Sequence, residues 1–129
     1  MLAIDTNLVV RFLTGDHRSQ SAKVKALIAR ETVFVATTVL LEVEWVLRSV
    51  YKFGAPKIQD RLTAFIGLPN VVLEDAARVA AALDAMAGGL DFADALHLAA
   101  AENCEAFLSF DRGLAKAAAA MGGIPVRAP

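Results

Sequence analysis

Short apolar runs that each hand over to a helix-like pattern recur along the whole chain, and this alternation constrains the fold more than any other feature. Residues 1–4 stop at Asp5, and Thr6-Asn7 then offers helix-capping chemistry before a helical stretch over 8–13. Residues 33–36 are β-branched and aromatic and are followed by Thr37-Thr38, candidate caps for a helix over 39–53 that stops at Gly54-Ala55-Pro56. Residues 71–73 form a third apolar run, residues 106–110 a fourth that ends at Asp111, and residues 124–126 a last one whose proline suits a sheet edge. Between them, Val24, Leu27 and Ile28 have helical spacing in a segment that Ser19 or Ser21 caps. Further helices are expected over 57–66, 76–87, 91–102 and 114–121, several of them closed by glycine. Parallel strands need crossovers long enough to hold a helix, so the pattern predicts an α/β fold with a parallel sheet covered on both faces.

Composition narrows the setting. A chain of 129 residues with 57% hydrophobic but only 7% aromatic content has the apolar mass for one core of closely packed helices, and one domain over 1–129 is expected. No apolar stretch reaches the roughly 18 residues of a membrane span. The start of the chain places a carboxylate at Asp5 where a secretory signal would continue apolar, and Cys104 is the only cysteine, so a cytoplasmic location is expected. The formal net charge of -1 gives no whole-molecule attraction for nucleic acid or an anionic membrane, and charged partners must be read locally.

The acids sort by their surroundings. Ligands of open α/β sheets bind beyond the carboxyl ends of the strands, where Asp5 and Asp111 both lie, although aspartate there also caps helices well. Glu44 has Arg48 at i+4 and reads as a solvated surface pair. Glu42 has no cation in reach on its own helix and needs a partner from elsewhere. Asp91 and Asp94, three apart after Gly88-Gly89, fit a helix cap and its first turn, but two like charges so close repel. His97, beside Leu96 and Leu98, reads as a packing or hydrogen-bonding residue. Carboxylates that converge in a pocket stay ionised only if cations neutralise them, and oxygen donors suit Mg²⁺ or Mn²⁺. Zinc is disfavoured by the lack of a cysteine cluster or HExxH pattern.

In order and spacing, Ile4-Asp5-Thr6-Asn7, Glu42, Asp91-Phe92-Ala93-Asp94-Ala95-Leu96-His97 and Ser109-Phe110-Asp111-Arg112 make the chain resemble PIN-domain ribonucleases, and among them the small VapC-type toxins of toxin-antitoxin pairs. The resemblance implies a three-layer α/β/α fold with a central parallel sheet of about five strands, and an Mg²⁺- or Mn²⁺-dependent endoribonuclease site. Carried over by position, Asp5, Glu42, Asp94 and Asp111 are its catalytic and metal-holding acids and Asp91 is an accessory. Asn7 and Ser109 match polar positions that help hold the site, Ser109 by supporting Asp5 or a water on the metal. Where some relatives carry a further acid after the fourth, this chain has Gly113 and Leu114. The resemblance also implies cleavage that leaves a 3′-hydroxyl and a 5′-phosphate, and a cognate VapB-type antitoxin that blocks the site.

Local charge is compatible with an RNA substrate. Residues 11–30 hold Arg11, Arg18, Lys23, Lys25 and Arg30 against Asp16 alone. Arg11, and Arg112 with Lys116 beside Asp111, are the candidate RNA contacts. The apolar side chains over 39–66, among them Leu40, Leu41, Trp45, Leu47, Val50, Tyr51, Phe53 and Phe65, exceed what one core contact absorbs, and a homodimer and the antitoxin can share that surplus. Two alternatives compete: a receiver-like signalling domain, and a PIN-fold binding module without catalysis. The receiver fits poorly, because its acceptor aspartate belongs after the third strand, where this chain has Glu74-Asp75, and its lysine after the last, where it has Arg127.

Overall fold

The first strand is only two residues long, yet its register with the second decides where Asp5 stands. In the computed structural model, which describes residues 1–129, β1 (Leu2–Ala3) pairs in parallel with β2 (Val33–Val35), Leu2 opposite Val33 and Ala3 opposite Phe34. β2 pairs in parallel with β3 (Val71–Leu73) on its other side, with Val33 opposite Val71 and Val35 opposite Leu73. The order β1-β2-β3 puts β2 in the centre, which is why Val33 and Val35 are fully buried.

The crossovers are helical, as parallel pairing requires. α1 (Thr6–Thr14) and α2 (Arg18–Arg30) join β1 to β2, and α3 (Thr37–Ser49) and α4 (Ala55–Ile66) join β2 to β3. Each helix buries one stripe at helical spacing: Val9, Val10 and Leu13 on α1, Leu40, Val43 and Leu47 on α3, and Ile58, Leu62 and Phe65 on α4. Phe65 packs on Phe12 with ring centroids 5.5 Å apart. Gly15 ends α1 with φ +65°, and its N–H donates to the Arg11 carbonyl, a left-handed cap that a residue with a Cβ enters only under strain.

Three caps differ from expectation. At α1 the cap is Asp5, and Thr6 and Asn7 lie inside the helix. α2 is capped by His17, whose Nδ1 accepts the Gln20 N–H at 3.1 Å, and not by Ser19 or Ser21, which lie inside the helix. Thr37 and Thr38 do not cap α3. Ala36 occupies the cap position without a side-chain bond, and the exposed Thr37 N–H is satisfied by Glu74 Oε1 at 2.9 Å, from beyond β3. A distant carboxylate thus does the work expected of a local hydroxyl.

By internal contacts the chain divides into two units, Met1–Ala76 and Ala77–Pro129. After α5 (Ala76–Ala87), the second unit holds α6 (Phe92–Ala100), β4 (Phe107–Leu108), α7 (Arg112–Met121) and β5 (Val126–Arg127). β4 and β5 pair in parallel, Phe107 opposite Val126. The five strands are therefore those expected in number, but they form a three-stranded and a two-stranded sheet in place of one continuous sheet. β4 and β5 are two residues each, too short to extend a ladder far. No helix is long and apolar enough to cross a membrane.

Candidate active site

In the first unit, Asp5 leaves β1 with extended backbone and becomes the N-cap of α1, its Oδ1 accepting the Leu8 N–H at 3.2 Å. One carboxylate oxygen suffices for the cap, so the second stays outside that bond. Thr6, next in the chain and buried, donates its hydroxyl to Glu42 Oε1 on α3. This bond joins the chain neighbour of Asp5 to Glu42 across 36 positions and fixes one oxygen of an otherwise exposed carboxylate. It is the partner from elsewhere that Glu42 needed. Thr6 was not among the expected site residues, and its only sequence signal is its place directly after the aspartate that ends a strand.

Asp5 and the exposed Asn7 also line an open groove of about 470 Å³ with Arg11, Gln20 and Lys23 from α1 and α2. Arg11 is not a loose surface cation. Its Nε donates to Gln20 Oε1 at 2.8 Å, and its Nη1 to Tyr51 Oη at 3.2 Å and Asp16 Oδ1 at 3.4 Å. Asp16 is held in turn by the hydroxyls of Tyr51, 2.7 Å, and Thr14, 2.8 Å. These two donors, with the Arg11 charge behind them, hold the Asp16 carboxyl below the usual aspartate range.

In the second unit the same cap geometry occurs twice. Asp91 Oδ1 accepts the Asp94 N–H at 3.1 Å at the start of α6, and Asp111 Oδ1 accepts the Leu114 N–H at 3.0 Å at the start of α7. The Asp111 backbone is fixed as well, its N–H donating to Ser109 Oγ at 3.0 Å. The observed partner of Ser109 is thus Asp111. Gly113 leaves room for this carboxylate, since a Cβ there would stand 3.3 Å from Asp111 Oδ1. Asp94 is half-buried, and burial pushes its carboxyl above the usual range; Asp91 pushes the same way, His97 opposes, and Asp111 adds to the rise. His97, expected to pack or to hydrogen-bond, is exposed, and its influence on Asp94 is electrostatic.

Glu44 also departs from expectation. It is paired with Arg48 at 3.0 Å and 3.3 Å, but it is 2% exposed, a buried anion held by a half-exposed guanidinium. Of the apolar surplus expected over 39–66, the core takes Leu40, Leu47 and Phe65, while Trp45 at 53% and Val50 at 63% exposure stay outside. Arg112 and Lys116 are exposed on α7, as phosphate contacts must be.

Within neither unit do three or more His, Cys, Asp or Glu side chains stand close enough to hold a metal ion. The donor chemistry nevertheless suits a hard divalent cation: the acids offer oxygen alone, and the crowding of Asp94 by Asp91 and Asp111 is relieved by a positive charge. Both functions once set against each other for these aspartates, cap and site, are compatible, because capping consumes one oxygen of two.

No curated protein matches the chain. The PIN domain family does match it, over residues 2–120, a span that runs through both units and takes in Asp5, Glu42, Asp94 and Asp111. With that coverage, and with parallel strands and seven helices in the order described, the chain belongs to the PIN domain family.

Proposed function

We propose that the protein is a metal-dependent endoribonuclease that acts as the toxin of a toxin-antitoxin pair. PIN domains are generally metal-dependent nucleases, which supports a hydrolase acting on RNA and leaves the receiver-like alternative without a basis. The observation that carries the reading is the coincidence of the PIN domain match with aspartates at strand-to-helix turns that keep an oxygen outside their caps. Asp5, Glu42, Asp94 and Asp111 are the acids that would hold Mg²⁺ or Mn²⁺. Bound there, such an ion supplies an acidified water and neutralises charge on the scissile phosphate.

The chain's own groups prepare that chemistry. The Asp5 and Asp111 caps hold each carboxylate at a helix N-terminus, whose partial positive charge favours the anion. Thr6 orients Glu42, and Ser109 holds the Asp111 backbone. The Asp94 N–H donates to the Asp91 carboxylate, which fixes Asp94 in the first turn of α6. Arg112, Lys116 and Arg11 supply cations for the phosphates, Asn7 and Asp91 are accessory, and the products carry 3′-hydroxyl and 5′-phosphate ends. We assign the whole of residues 1–129 to one functional domain, place it in the cytoplasm, and take a VapB-type antitoxin and a second copy of the chain as its partners.

The test is incubation of the purified protein with single-stranded RNA and Mg²⁺, with analysis of the product ends. Cleavage that Asp5→Asn and Asp94→Asn abolish with folding intact supports the nuclease. RNA binding without cleavage indicates a binding module instead. Growth arrest on induction, relieved by the adjacent small open reading frame, tests the toxin role separately.

A further inference from the structure

The groove along α1 and α2 has a composition that the catalytic acids do not explain. Asp5 and Asn7 stand in its lining, Arg11, Gln20 and Lys23 add polar groups, and Leu8, Val24 and Leu27 supply an apolar floor. Of its charged groups two are cations and one is the acid assigned to catalysis. Lys23 is exposed, and none of the ion pairs of the structure engages it. Gln20 has its Oε1 occupied by Arg11, which orients its amide so that the two N–H donors remain on the other side. Gln20, Asp16 and Tyr51 brace Arg11, so its guanidinium has a set position in the groove wall.

We infer that this groove binds a nucleotide of single-stranded RNA next to the scissile bond, with Lys23 on its phosphate, the Gln20 amide on a sugar or base edge, and the base face on Leu8 and Leu27. The inference rests on the nuclease reading and adds a substrate subsite to it. A volume of about 470 Å³ lies in the range of about 300–1,000 Å³ of small-ligand pockets and suits a unit the size of a nucleotide. The mixture matters more than the size. A nucleotide presents an apolar face, hydroxyls and an anion together, and single-stranded RNA is held by base-face contacts combined with cations along the backbone. The floor meets the first need, Gln20 and Asn7 the second and Lys23 the third. Arg11 already engages Asp16, Gln20 and Tyr51, so Lys23, outside the ion pairs, adds a second phosphate contact beside it.

The experiment measures steady-state cleavage of a fluorophore-labelled single-stranded RNA by the full-length protein with Mg²⁺. Three proteins are compared: the unaltered one, Lys23→Glu, and Lys52→Glu, a charge-matched change at an exposed lysine outside the groove. The expected result for Lys23→Glu is a KM raised about tenfold or more, kcat within about twofold, and a salt dependence of log(kcat/KM) shallower by about one unit. Lys52→Glu keeps all three values. An abasic site at one position beside the cleaved bond raises KM severalfold for the unaltered protein. Equal KM and salt slope for Lys23→Glu and Lys52→Glu overturn the subsite while the nuclease stands. If no RNA is cleaved, the nuclease reading fails, and fluorescence anisotropy with the same RNA decides the groove: weaker binding by Lys23→Glu alone supports it, and equal affinities overturn it. Unchanged RNA affinity with weakened binding of poly-glutamate assigns the groove to an acidic peptide and likewise overturns the proposal.

Discussion

The two units handle their carboxylates in opposite ways. In residues 1–76 three acids are answered by side chains: Glu42 takes a hydroxyl from Thr6, Glu44 a guanidinium from Arg48, Asp16 two hydroxyls and Arg11. In residues 77–129 the Asp94 carboxyl is raised first by burial and then by Asp91 and Asp111, with His97 opposing. An isolated chain gains nothing in stability from burying an anion beside two others. The first unit carries the scaffold, with a three-stranded sheet and the large buried side chains Leu40, Leu47, Ile58, Leu62 and Phe65.

The largest expected effects belong to activity. Asp94→Asn and Asp5→Asn are each expected to lower RNA cleavage by on the order of 10³-fold, because each removes charge that positions the ion and the phosphate. Circular dichroism and product analysis on the same samples check that folding is retained while cleavage is lost.

Next in size are core changes in the first unit. Phe65→Ala removes a ring that is 1% exposed and packed on Phe12, and is expected to cost about 3–5 kcal/mol in denaturant unfolding. Arg48→Met, which strands the buried Glu44 carboxylate, is expected to cost about 1–3 kcal/mol, the exposed half of the guanidinium limiting the loss.

Smaller effects read the electrostatics of the second unit directly. The raised Asp94 carboxyl binds its proton more tightly folded than unfolded, so its contribution to stability falls as pH rises from the ordinary aspartate pKa through the raised value. Without divalent ions, thermal melts of Asp94→Asn at neutral pH are therefore expected at or slightly above those of the unaltered protein. Addition of Mg²⁺ reverses the order, since only the complete acid set gains from the ion.

The smallest effect lies back in the first unit. Tyr51→Phe removes the main hydroxyl that holds Asp16 low, so carboxyl NMR titration is expected to find Asp16 shifted upward toward the ordinary range. The sign is opposite to that of Asp94: the contribution of Asp16 is present above the ordinary aspartate pKa and fades as pH falls through the lowered value.

How far the chain could be read without coordinates follows from the range of each interaction. The strand-to-helix turns at Asp5 and Asp111 and the cap at Asp91 were legible, because capping is decided within three or four residues. The ion pair of Glu44 with Arg48 was legible for the same reason, but its burial was not, since that depends on what packs over α3. The bond from Thr6 to Glu42 and the support of α3 by Glu74 span 36 and 37 positions and leave no local pattern. The split of five strands into two sheets escaped for the same reason: strand periodicity says nothing about which strand lies beside which.

Binding of Mn²⁺ to the unaltered protein, Asp5→Asn and Asp94→Asn, followed by isothermal titration calorimetry, tests most directly whether carboxylates from both units act as one set. The account predicts that either substitution weakens Mn²⁺ affinity by about tenfold or more, and to a similar extent. Affinity that survives in one variant, or that is the same in all three proteins, would contradict it.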